Sequence, residues 1–272
     1  MRKPRCWHRG CRMTCGNEMT TLYAKEFDRP RTRRIEKRPY RIESIEPRLR
    51  KSAMRCMCKW PACMSTRAIC ARDYVEKIDD SELRNKVRPF IDASLMMRAS
   101  DKKDPDLILE ISKKGELSHF QRSWALMRVA TLLVKTDRER ALSAIDDAFA
   151  EARRIEESDP DRPRAIIAVA NAVLPLDRAK SWEIVDEAVK AANSAEGFTG
   201  EDGVMRISLL TKNGSSIRSS SSGEFNVGGI FGELAKEDFE KTVAVTRGFQ
   251  REAPRASATI AIARTVLEEK KP

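Results

Sequence analysis

An all-α fold of antiparallel helix-pair repeats is predicted by three observations. Two segments forty residues apart repeat each other. An aspartate recurs before successive amphipathic stretches. Over residues 74–272, Gly and Pro are confined to breaks between strong helix formers.

The repeat is read directly. Val129-Ala130-Thr131-Leu132-Leu133-Val134-Lys135-Thr136-Asp137 returns as Val169-Ala170-Asn171-Ala172-Val173-Leu174-Pro175-Leu176-Asp177. Ala144-Ile145-Asp146-Asp147-Ala148 then matches Ile184-Val185-Asp186-Glu187-Ala188, and Ile260–Leu267 is a third copy of Ile167–Leu174. This pattern places helices at about 81–99, 105–114, 119–134, 138–156, 162–174, 178–194, 239–247 and 254–269. Short helix pairs cannot bury their apolar faces alone, so repeated pairs are expected to stack side by side as an α-solenoid.

Each helix has its start signal. Asp104, Asp137, Asp177 and Asp238 stand where a carboxylate takes the free amides of a first turn and meets the positive helix end. Separations of 33, 40 and 61 residues point to four separate caps and not to one acidic site. Ser118-His119-Phe120-Gln121 has capping-box spacing. Pro163 and Pro254 fit a first helical position, and Pro89 either starts a helix or kinks one begun at Ser81. Gly115, Gly197 and Gly248 are expected at helix ends in the left-handed conformation.

One stretch, about 198–232, breaks the rhythm. Val204–Leu210 reads as a strand, Asn213-Gly214 as a tight turn, and Glu224–Val227 as a returning strand, a β-hairpin or irregular lobe inserted in the array. Gly228-Gly229-Ile230-Phe231-Gly232 reads as a second tight turn; it lacks the Lys-Ser/Thr of a phosphate loop. A long insertion on a rigid scaffold is the natural place for a contact. Arg206, Arg218 and Phe225 are its candidate contact residues.

The first 73 residues differ in composition. They hold 20 basic and 7 acidic side chains and all seven Cys, whereas residues 74–272 hold 32 basic and 34 acidic. The formal charge of +11 therefore belongs to this segment. Its apolar residues form no repeating face, so disorder is the physical expectation. Cys6, His8, Cys11 and Cys15, or Cys56, Cys58, Cys63 and Cys70, offer four zinc ligands each but lack C-x-x-C knuckles, and no metal is assigned. Arg29–Arg34 offers phosphate contacts, so any nucleic-acid binding falls to residues 1–73. Patternless Arg, Cys, Trp and Met fit a reading-frame or start-site error, with the native frame beginning near Arg67–Asp73.

Gly115–Leu126 with Lys135-Thr136-Asp137-Arg138, and Ala191–Gly203, resemble an uncharacterised group of bacterial helical-repeat proteins. The resemblance covers roughly residues 71–270 and implies no activity, substrate or catalytic residue. More broadly the chain is similar to tetratricopeptide-like and HEAT-like arrays. That implies protein binding, by analogy of architecture, although the Trp-Leu-Gly-Tyr signature of the former is missing.

Chemistry is scarce. Residues 74–272 contain no Cys and one His, His119, read as an exposed first-turn residue. Cys–His and Ser–His catalysis and His- or Cys-rich metal sites are nearly excluded there. Asp146-Asp147 and Asp186-Glu187 occupy equivalent repeat positions; adjacent helical residues diverge by about 100°, so ion pairing is expected of them. Trp124 and Trp182 are expected in the core. No catalytic, cofactor or metal residue is assigned, and no membrane span is found. The expectation is a non-enzymatic protein–protein interaction scaffold, cytoplasmic as written, with nucleic-acid binding through the N-terminal segment as the alternative.

Overall fold

The computed structural model describes residues 72–269 apart from Asn213. The zinc ligand sets, the Arg-rich run and the disorder expected of the N-terminal segment lie on residues 1–71, outside the described ones. The described chain is mostly helical, with one small antiparallel sheet.

Residues 72–76 are helical and are tied down by charge. Arg72 Nε donates to Oδ1 of buried Asp92 at 2.7 Å, and the other carboxylate oxygen accepts from the Glu116 amide at 2.8 Å. Gly115 serves this contact. A Cβ there would lie 2.6 Å from the Ile111 carbonyl and 3.3 Å from Asp92 Oδ2, so the backbone could not approach the carboxylate so closely.

The helices follow in order: α1 (Ser81–Asp101), α2 (Pro105–Lys114), α3 (His119–Leu133), α4 (Arg138–Arg153), α5 (Asp161–Val173) and α6 (Arg178–Ser194). After strands β1 (Val204–Thr211) and β2 (Gly214–Ser221) and a 3-10 turn (Gly223–Phe225) come α7 (Val227–Glu237), α8 (Phe239–Thr246) and α9 (Glu252–Glu269). Pro89 sits inside α1, whose start is set by Asp80: its Oδ1 accepts from the Glu82 and Leu83 amides. Asp104, Asp137, Asp177 and Asp238 each accept one first-turn amide, at 2.9–3.1 Å. Ser118 and Gln121 satisfy each other's backbone amides reciprocally.

Three local expectations are corrected. Pro163 and Pro254 are third, not first, in α5 and α9; the position is still harmless because amides of the first turn lack helical acceptors. Of Gly115, Gly197 and Gly248, only Gly197 is left-handed (φ 69°), while Lys103 (φ 56°) takes that conformation after α1. Glu224–Val227 does not return as a strand and Gly228–Gly232 is not a turn. Val227, Ile230, Phe231 and Leu234 recur with helical spacing and are buried as the core face of α7. Its glycines let α9 come close: a Cβ on Gly232 would stand 3.2 Å from Thr265 Oγ1. The irregular part of the insertion ends at Asn226.

Packing follows the alternation of the helices. α1, α3, α5, α7 and α9 each touch the next of that set, and each also packs on the helix that follows or precedes it in the chain. The intervening helices are joined by charge. Arg140 of α4 reaches Asp106 of α2 at 2.6 Å, Lys180 of α6 reaches Asp146 of α4, and Arg153 Nε of α4 donates to Glu187 of α6 at 2.6 Å. Lys241 of α8 lies 4.1 Å over the Trp182 ring of α6. These solvent-exposed pairs set register more than stability. Stability comes from a continuous apolar core that includes Trp124, Ile145, Ile166, Ile184 and Phe231.

Candidate functional site

The insertion does not hang free of the helices. β1 packs across α1, and its alternate residues Met205 and Ile207 are buried while Arg206, Ser208 and Leu210 face outward. The strands pair from Val204↔Ser221 to Thr211↔Gly214. At the neck, the Ser222 amide donates to the Gly203 carbonyl at 2.7 Å and the Val227 amide to Gly200 at 3.0 Å.

One side chain organises this neck. Arg164, in the first turn of α5, is only 7% exposed. Its Nε donates to the Asp202 carbonyl at 3.1 Å and its Nη2 to the Val204 carbonyl at 2.6 Å, while Nη1 pairs with Asp161. The guanidinium lies 4.9 Å from the Phe120 ring and 5.1 Å from the Phe225 ring, and those two rings stand 5.2 Å apart. Arginine suits the place because its planar fork satisfies two carbonyls and a carboxylate while its face stacks on aromatics. Burial raises the Asp161 pKa, and the Arg164 charge opposes the rise.

A second set of bonds holds the exit. Asn171 Nδ2 of α5 donates to the Glu224 carbonyl at 3.0 Å. Arg128 of α3 donates to Glu224 Oε1 at 3.1 Å and to Ser100 Oγ of α1 at 3.1 Å. Ser222 Oγ donates to Glu224 Oε2 at 2.7 Å. The hairpin is thus mounted on α1, α3 and α5 together.

The outer face has the opposite character. Leu210 and Ile217, diagonal neighbours across the strands, are 75% and 68% exposed, with Arg206 exposed on the same face. Of the candidate contact residues, Arg206 therefore reaches solvent and Arg218 is half-buried on the helix side. Phe225 is fully buried, so it anchors the insertion and cannot meet a partner. The aromatic was legible as important. Its direction was not, because nothing in the local sequence shows that Arg164 and Phe120 wait sixty and more residues earlier.

The remaining singled-out residues lie on the helices. His119 is about half exposed, and its Nδ1 lies 2.7 Å from Glu151 Oε2, which also faces Arg122 and Arg154. Trp124 and Trp182 are buried. Asp146 and Glu187 hold the interhelical ion pairs already described. Among the described residues no group of three His, Cys, Asp or Glu is placed to hold a metal ion, and no helix is long and apolar enough to cross a membrane.

In comparisons with known proteins, no family model, curated protein or solved structure matches the chain.

Proposed function

We propose that the protein is a non-enzymatic protein–protein interaction scaffold, its helix pairs stacked as an α-solenoid of the tetratricopeptide-like or HEAT-like kind. The resemblance to bacterial helical-repeat proteins belongs to this proposal. The observation that carries it is the mounting of the hairpin: a neck fixed by Arg164 and Glu224 presents Leu210, Ile217 and Arg206 outward on a rigid base. Paired apolar side chains exposed on a fixed element, with a guanidinium beside them, suit a protein or peptide surface.

The test uses the full chain with a photoreactive benzoylphenylalanine at Leu210 or Ile217, irradiated in extracts of the source cells. A discrete protein cross-link that disappears when the unlabelled neighbour carries Ile217→Asp or Leu210→Asp supports the reading. Recovery of nucleic acid alone, released by nuclease and by raised salt, overturns it in favour of the N-terminal alternative.

A further inference from the structure

The alternation of helices makes two grooves comparable. α5 packs on α3 and α4, and the groove between α4 and α5 is covered by α6. Lys180 and Glu187 of α6 reach Asp146 and Arg153 of α4, and Ser181 Oγ donates to the Ala170 carbonyl of α5 at 3.1 Å. α9 packs on α7 and α8 in the same way. Its Ile260–Leu267 repeats Ile167–Leu174 of α5, so Ala263 corresponds to Ala170 and Val266 to Val173. Those are the residues that line an open groove of about 570 Å³ between α8 and α9. No helix among the described residues covers it.

The lining is apolar with a basic edge. Phe239 and Val243 come from α8, Val266 and Leu267 from α9, and Phe239 and Leu267 are exposed. Arg247 and Arg255 also line it, both exposed, with no acidic side chain in the lining. Asp146 stands nine residues after its cap Asp137 and receives Lys180 of the covering helix, three residues after its own cap. Arg247 stands nine residues after Asp238. At the position where α4 offers Lys180 a carboxylate, α8 carries a cation.

We propose that the α8–α9 groove docks an amphipathic helix of a partner protein, apolar on one face and carrying a carboxylate in its first turn opposite Arg247. The charge argues for a separate partner over a second copy of this chain. Arg247 and Arg255 line the groove without an acidic side chain, so a second copy apposing the same face would set cation against cation. This surface lies on other elements than the hairpin and adds a second contact to the scaffold reading.

The covering helix of the interior groove supplies the probe. A fluorescent peptide of residues 176–195 with Lys180→Glu is titrated with the full chain and followed by anisotropy. Saturable binding is expected, about tenfold tighter than that of the unaltered peptide. Leu267→Asp in the protein should abolish it. Arg247→Glu should reverse the preference between the two peptides. Leu267 and Arg247 are exposed, so both variants should keep the wild-type circular dichroism; if Leu267→Asp unfolds, the charge reversal carries the test alone. Absence of saturable binding, or binding indifferent to these changes, overturns the proposal. So does a dimer in sedimentation that Leu267→Asp dissolves, which would make a second copy the occupant. Leu210→Asp should leave peptide binding unchanged, so failure here is separable from failure of the hairpin contact.

Discussion

At the neck of the insertion a buried arginine is enclosed by two rings, two carbonyls and a carboxylate; at its outer face a leucine and an isoleucine stand in water. Both ends belong to one stretch of chain, and they obey opposite rules. The neck carries charge where water is excluded, which holds only because every polar group of Arg164 has a partner. The outer face leaves apolar surface unburied, which lowers no folding free energy. Stability alone accounts for neither, and the exposed apolar pair is what supports the contact proposed for the outer face.

Breaking the neck should have the largest effect. Arg164→Ala leaves the Asp202 and Val204 carbonyls without their donor, removes the cation beside half-buried Asp161 and opens space beneath two rings, and should cost about 3–5 kcal/mol in urea unfolding. Phe225→Ala should cost a similar ~3–5 kcal/mol, since a fully buried ring is removed. If either variant unfolds within about 0.5 kcal/mol of wild type, the insertion is not anchored as described. A cap is worth less: Asp137→Ala or Asp177→Ala should each cost ~1 kcal/mol, read in the same titration.

The outer face should be nearly silent for folding. Leu210→Ser is expected to shift stability by less than about 0.5 kcal/mol while removing the cross-link to a partner. A large loss of stability would mean that Leu210 is buried in solution, and the contrast between neck and face would collapse. The smallest effect concerns Asp161. Its pKa is raised in the folded state, so the unfolded chain ionises first as pH rises, and folding loses stability through the folded pKa. Wild type should therefore lose ground against Asp161→Asn as pH climbs from below 3.8. A difference that is flat or grows with pH would show that the Arg164 charge dominates burial.

The helices and their starts were legible because their signals are local. A cap needs only an aspartate and an amide three residues on, and a helical stripe needs only apolar residues at regular spacing. Asp104, Asp137, Asp177 and Asp238 show this, as does the capping box at Ser118. The first strand and the turn of the hairpin were legible from alternation and from Asn213-Gly214. The returning strand was misplaced: it is the Ser-rich Gly214–Ser221 and not Glu224–Val227, because it draws its pairing from β1 and carries no apolar alternation of its own. The reading failed again at Gly228–Gly232, where three glycines read as a turn. They lie in α7, where Gly228 and Gly232 face Ala261 and Thr265 of α9 and Gly229 faces Asn171 of α5, contacts that come from more than thirty residues away. Arg164 shows the same limit in the candidate site. Among 52 basic residues nothing local distinguishes it, and its burial is known only once α3, α5 and the insertion meet.

By itself, then, the sequence determined the helical class, the repeat, the caps and the strand that interrupts them, since each follows from hydrogen bonds and side-chain spacing within a few turns of chain. Only the tertiary structure decided which way the insertion faces, which arginine is enclosed, and that the α4–α5 groove is filled while, among the described residues, nothing covers the α8–α9 groove. Those outcomes depend on apolar surfaces far apart in sequence competing for the same cover, and a surface that finds none is visible only when all the others have been placed.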